Sequence, residues 1–241
     1  MIKTILNKYI NSIISKLIKK QKAIQQEQFA YNAISGLFNE SQFIPFTTWT
    51  ISPSTIQHVL NDIEINQRKS IVEFGSGAST FFIAKLLKTK DSEASFFSVE
   101  SDELWARNIE NKIKKMQLEK FVTIIYTPII KVPKEISFKG QSYWYDTDIL
   151  NKKLGNVNAI DLVLVDGPLG KSNPYARFSA IPYLRSKLTE QYSVYLDDIN
   201  RSEEREIANE WKNSLNCEIR QFDRYAMLYT DRNYITGPFR V

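Results

Sequence analysis

The sequence predicts an α/β protein built on a doubly wound, mostly parallel sheet, and three observations predict it. From residue 70 onward, short apolar runs rich in β-branched residues alternate with longer amphipathic stretches. The stretch "SIVEFGSGASTFF", residues 70–82, has the order strand, glycine turn, helix. Acids stand directly after three apolar runs: Glu100 in "FFSVESD", Asp166 in "DLVLVDGP", and the pair Asp197 and Asp198 in "VYLDDINR". In open sheets of this kind ligands bind outside the carboxyl ends of the strands, so such acids are the first candidates for function.

The elements follow in chain order. Residues 1–40 form a helical extension in which Ile2, Ile5, Leu6, Ile10, Ile13, Ile14, Leu17 and Ile18 recur at helical spacing, with Lys3, Lys8, Lys16, Lys19 and Lys20 between them. Two readings are open. The helix docks on its own domain or on a second subunit of a homo-oligomer, or it lies on an anionic membrane surface. Residues 41–69 are a lead-in, punctuated by Pro45 and Pro53, with Ser52 or Ser54 starting a helix. Residues 70–241 are the main domain. Strands are expected at 71–74, 95–99, 121–126, 160–165 and 192–196, and helices at 79–89, 102–116, 175–188 and 202–214, with a long excursion between 126 and 160. That rhythm implies right-handed crossovers and a Rossmann-like sheet. The ending "CEIRQFDRYAMLYTD" predicts a C-terminal antiparallel hairpin turning at Asp223 and Arg224.

Composition narrows the classes of function. The 241 residues carry 32 basic and 27 acidic side chains, a net charge of +5 spread along the chain, which argues against a nucleic-acid partner. Cys217 is the single cysteine, so no internal disulfide or cysteine zinc cluster forms, and a core thiol is expected. No apolar run reaches membrane-spanning length and no signal-like apolar segment opens the chain, so a cytoplasmic location is expected.

The motifs point to a nucleoside. Gly75 and Gly77 allow a tight turn and close approach of the backbone, and Glu100 follows Gly75 by 25 residues, near the spacing at which an acid after the second strand accepts hydrogen bonds from ribose hydroxyls. Thr80 stands where a dinucleotide fingerprint needs a small residue. Glu73 beside the turn would repel a pyrophosphate and suits a ligand carrying positive charge, such as a sulfonium with an amino-acid tail.

From the strand before "EFGSGAS" to the terminal hairpin, roughly 70% of the chain, the sequence resembles class I S-adenosylmethionine-dependent methyltransferases. The resemblance implies that Glu73, Gly75 and Gly77 surround the methionine part of that cofactor and that Glu100 holds its ribose with Asp102 nearby; Asp166 is a further cofactor-binding candidate. The segments "VDGPLGKSNPYARFSAIPYL" and "YLDDINRSEEREIANEW" resemble bacterial glycan-associated and glucuronoxylan 4-O-methyltransferase-like members. This implies O-methylation of a sugar or glycan hydroxyl; a small phenolic or other hydroxyl compound, and a non-catalytic nucleotide-binding scaffold of the same fold, are the alternatives.

Methyl transfer from a sulfonium needs in-line alignment and a group that takes the hydroxyl proton. Asp166 and Asp198 are the catalytic candidates by position. Asp198 is expected to face the cleft and Asp197 to cap the following helix, with Arg201 and Glu204 orienting them or forming a surface pair. Lys171, Arg177, Trp144 and Tyr145 are the substrate-binding candidates, with structural pairing of Arg177 and core packing of the two aromatics as the alternatives. His58, the only histidine, is expected to be structural or to line the acceptor pocket. Asp166 and Asp198, with Asp197 or Asn200 near, offer hard oxygen ligands for Mg²⁺ or a similar cation, as strand-end acids do in catechol-type O-methyltransferases; Asp166 acting alone as base is the other possibility.

Overall fold

A computed structural model describes residues 2–38, 42–230 and 234–239, with the side chains of residues 2–6 outside the description. The apolar and basic positions Ile2, Lys3, Ile5 and Leu6, and the expected boundary between residues 40 and 41, therefore lie outside the described side chains or residues.

The chain begins with α1 (Ile2–Ser35) and α2 (Pro53–Ile65), the latter started by Ser52, whose hydroxyl accepts from Thr55 N, and by proline in the first turn. The expected alternation follows: β1 (Ser70–Phe74), α3 (Ala78–Thr89), β2 (Ser95–Glu100), α4 (Glu103–Lys115) and β3 (Thr123–Tyr126). The excursion contains β4 (Ile129–Lys131), β5 (Tyr143–Tyr145) and α5 (Thr147–Leu154). Then come β6 (Ile160–Val165), α6 (Ala180–Leu184), β7 (Leu188–Leu196), α7 (Ser202–Leu215), β8 (Glu218–Gln221) and β9 (Ala226–Tyr229).

Seven strands form one sheet in the order β3-β2-β1-β6-β7-β9-β8, and β4 and β5 pair antiparallel apart from it. The pairs β1–β2, β2–β3, β1–β6 and β6–β7 are parallel, whereas β9 is antiparallel to both β7 and β8. The strand order reverses between β1 and β6, which is where doubly wound sheets open a crevice. Alternation along β1 sets the two faces. Ile71 joins the core formed with α2, α3 and α4, and Val72 and Phe74 join the opposite core with α6, α7, Trp144 and Tyr145.

Two expectations are corrected. The helix expected at 175–188 is α only over Ala180–Leu184, followed by a 3₁₀ turn over Arg185–Lys187. Tyr175 has φ of 52° and Pro182 removes a backbone donor, so the apolar periodicity there packs a turn rather than a long helix. β7 starts at Leu188, four residues earlier than expected, across an irregularity in its pairing with β6.

The expected docking of the extension on its own domain holds for the C-terminal third of α1. Ala30 and Ile34 are buried, and Glu27 accepts hydrogen bonds from Ser54 N at 2.9 Å and Ser54 Oγ at 2.6 Å. His58 is structural: its ring nitrogens meet Tyr225 Oη at 2.8 Å and Thr236 Oγ1 at 2.9 Å, and it is absent from the cleft described below. Cys217 is half-buried beside Tyr192, and burial pushes its thiol up. No helix among the described residues is long and apolar enough to cross a membrane.

Candidate functional site

A cleft of about 580 Å³ opens at the carboxyl ends of β1, β2 and β6. Its floor is the glycine turn. Gly75 has φ of 97°, and a Cβ there would come within 2.8 Å of Gly167 N, while a Cβ on Gly167 would lie 2.8 Å from Gly75 Cα. The turn after β1 and the turn after β6 therefore touch backbone to backbone, which only glycine permits. A Cβ on Gly77 would meet nothing within 4 Å, so Gly77 answers to open space in the cleft rather than to its neighbours.

Glu73 does not line the cleft. It lies wholly buried beneath the turn, where its carboxylate accepts from the hydroxyls of Ser79, of Thr80 at 2.5 Å and of Ser98 at 2.5 Å. Burial pushes its pKa up to about 7 against those donors. The glycine-turn spacing predicts this charge beside the ligand; alternation along β1 points it at α3 instead, and there it fastens the first turn of the helix. Thr80 completes that fastening by accepting from Gly77 N at 2.9 Å.

Glu100, at the end of β2, does line the cleft. One carboxylate oxygen accepts from Ser76 N at 3.1 Å, the other from Ser101 N at 2.6 Å and Asp102 N at 2.8 Å, and burial raises its pKa. Asp102 also lines the cleft and caps α4 through Trp105 N at 2.9 Å. Trp105, which the sequence argument missed, forms a wall and donates its indole N–H to Ser76 O at 2.8 Å. The lead-in contributes Thr47, Trp49, Thr50 and Ile51, also missed; the signal was an aromatic and threonine run between two prolines. Thr47, Thr50 and Ile51 are shared with a second, more open groove of about 800 Å³ at the base of α1, which Arg224 also lines.

Asp166 reaches the cleft, and Arg177 holds it with an Nη2 to Oδ1 distance of 3.0 Å. Burial pushes the Asp166 pKa up to about 6, the Arg177 charge opposing and Asp198 reinforcing the rise. Asp198 does not line the cleft. With φ of 62° it turns away after β7, and its carboxylate meets Arg177, Arg201 and Arg224, each at 3.0 Å. Asp197 pairs with Arg224 at 3.2 Å, and burial pushes its pKa up to about 8. Neither acid caps α7, whose N-cap is Arg201. Arg201 bridges Asp198 at 3.0 Å and Glu204 at 3.4 Å, and Glu204 meets the two aspartates only through it.

Of the substrate-binding candidates, only Tyr145 lines the cleft. Arg177 is buried and its guanidinium is committed to Asp166, Asp198 and Asp197 O, the structural alternative. Trp144 is a fully buried core residue against Phe74 and Tyr183. Lys171 is exposed and outside the cleft. Tyr145 Oη is buried with no hydrogen-bond partner among the described residues, and burial holds it well above the usual phenol range, so it stays protonated and can only gain by donating to a ligand. Tyr145→Phe should therefore leave thermal stability unchanged or slightly higher while weakening ligand binding by about 0.5–1.5 kcal/mol, roughly two- to twelvefold, in calorimetric titration.

Asp166, Asp197 and Asp198 place carboxylate oxygens within 4.8 Å of one another, the arrangement a divalent cation needs. The set does not fit one. Three guanidiniums lie within 3.2 Å of these oxygens, so a cation would have to enter against their positive charge. Asn200 is exposed and adds no inward ligand.

No family model matches the sequence, and no curated protein matches it. Solved structures match the fold. An O-methyltransferase from Bacillus cereus in complex with SAH is 13% identical, covers 86% of this chain and 91% of its own, and superposes with a TM-score of 0.56. The O-methyltransferase TomG from Streptomyces achromogenes, involved in tomaymycin synthesis and in complex with SAM, is 12% identical over 87% of this chain and 90% of its own, with a TM-score of 0.54. The SAH-bound methyltransferase PaMTH1 from Podospora anserina is 14% identical over 93% of this chain and 97% of its own, with a TM-score of 0.51. At these identities the likeness shows that this chain shares the fold of these proteins.

Proposed function

We propose that the protein is an S-adenosylmethionine-dependent O-methyltransferase whose acceptor is a sugar hydroxyl, free or within a glycan. The observation that carries the reaction type is Asp166: a carboxylate at a strand end, in the cleft, held by one arginine and raised toward neutrality. The sugar acceptor rests on the resemblance of the segments around Asp166 and Asp198 to glycan-acting members.

The cleft fits the cofactor on observations of its own. Gly77, beside which nothing lies within 4 Å of a would-be Cβ, an acid after β2 and an orphaned buried hydroxyl converge on one space. When bound, S-adenosylmethionine supplies an electrophilic methyl group for in-line displacement. Glu100 would hold the ribose hydroxyls, Gly75 and Gly77 would admit the methionine part against bare backbone, and Tyr145 would donate a hydrogen bond. Trp105, Phe81 and Leu169 give the walls apolar surface. Asp166 takes the proton of the acceptor hydroxyl at its carboxylate, and Arg177, anchored by Asp198, keeps that carboxylate turned into the cleft. A base near neutrality remains ionised at physiological pH yet still binds a proton, as the step requires.

Titration calorimetry with S-adenosylmethionine, its demethylated product and NAD tests the cofactor. The two sulfur compounds should bind and NAD should not. Glu100→Gln should weaken both by about 1.5–3 kcal/mol, roughly a ten- to hundredfold change, the range for hydrogen bonds to a charged group. Binding of NAD alone would overturn the proposal. Release of the demethylated product with acidic oligosaccharides or with catechol as acceptor then separates sugar from phenol.

A further inference from the structure

Residues 7–22 of α1 have no cover among the described residues. Residues 7–22 are all exposed, and Tyr9, Ile10, Ile13, Ile14, Leu17 and Ile18 are 42–67% exposed, far above what an apolar helix face on a folded body retains. The contacts that hold α1 begin beyond this stretch, at Gln26, Glu27, Phe29 and Ala30. With about 3.6 residues per turn, Ile10, Ile13, Ile14, Leu17 and Ile24 fall on one stripe, and Lys8, Lys16, Lys19 and Lys22 fall outside it.

Charge selects the occupant. Six lysines and no acid precede Glu27 in the sequence. A second copy packed along this face would bring equal positive charge with no carboxylate on the stretch to pair it, whereas an acidic phospholipid surface offers counter-charge at the headgroups and an apolar layer beneath. We infer that α1 is an in-plane docking helix for an anionic membrane surface. The apolar stripe enters the headgroup boundary, and the lysines run their apolar stems along it with the ammonium groups at the phosphates. The helix lies on the surface and does not span it, since it is too charged to cross.

Co-sedimentation of the full chain with vesicles tests this without any turnover, so it stands apart from the methyl-transfer proposal. The probes are phosphatidylcholine vesicles, alone or with about one third phosphatidylglycerol. The chain should partition at least about tenfold more onto the anionic vesicles and come off as salt rises. Two variants separate the contributions: Ile13→Ser with Leu17→Ser, and Lys16→Gln with Lys19→Gln and Lys20→Gln. Each should lose at least about tenfold in partitioning while keeping the melting temperature of the α/β body, because all five side chains are exposed. Equal partitioning onto both vesicle types, or none onto the anionic ones, overturns the inference. A dimeric mass in solution that Ile13→Ser with Leu17→Ser converts to a monomer overturns it as well, since a second copy would then cover the face.

Discussion

Asp166→Asn should lower kcat roughly a hundred- to ten-thousandfold while leaving the fold and the affinity for S-adenosylmethionine within a few-fold of the parent, as expected for loss of a positioned general base. The amide keeps the size of the side chain and a hydrogen-bond acceptor for Arg177, and it removes only the ability to take a proton. In the parent, kcat should fall as pH drops through about 6, because burial holds the Asp166 pKa there and only the ionised form accepts a proton. That acidic limb should be missing from the residual activity of the variant. A chelator should leave parent turnover unchanged, since three arginines already occupy the carboxylate oxygens a cation would need. Stability runs the other way. Glu73 and Asp197 bind protons more tightly in the fold, at about 7 and about 8, than an unfolded carboxylate does at about 4. Their contribution to stability is thus complete below about pH 4 and is lost as pH rises toward 7 to 8, across the range in which activity appears.

Gly75→Val should abolish measurable cofactor binding and lower the melting temperature markedly. The substitution places a β-branched residue at φ of 97°, where strain alone costs about 1–3 kcal/mol, and it drives a Cβ to 2.8 Å from Gly167 N. Relief requires the turn after β6 to move, and Asp166 sits at the start of that turn, so turnover should disappear even at saturating cofactor. Gly77→Ala is the control. Its backbone is extended and its Cβ has room, so the fold should persist, and any loss of affinity in calorimetry reports the ligand's own approach. Thermal unfolding of both variants separates strain from contact.

The β1 turn and Asp166 were legible because each rests on neighbours in sequence: a β-branched run, two glycines and an acid before Gly-Pro. What sequence left open depended on side-chain direction at a distance. Asp197 and Asp198 are adjacent, and which one faces the cleft was decided by a left-handed residue after β7 and by arginines from α6's approach, from Arg201 and from the β8–β9 turn, so that neither does. Glu73 reads from sequence as a flank of the ligand, but the alternation of β1 sends it to α3. Trp144 and Tyr145 form the end of a short strand whose partner β4 had no clear pattern, and only the packing of Phe74 against both shows that one is core and the other also borders the cleft. Trp105 was hidden in a helix whose outer positions are polar apart from Leu104.

Thr47, Thr50 and Ile51 form one wall with two sides, the cleft on one and the groove at the base of α1 on the other. Thermodynamic linkage gives that arrangement a symmetric rule: by whatever factor an occupant of the groove changes the affinity of the cleft, an occupant of the cleft changes the affinity of the groove. Cofactor dissociation constants measured with the chain free and with the chain on vesicles are therefore two legs of one cycle, and vesicle affinities with and without cofactor must close it.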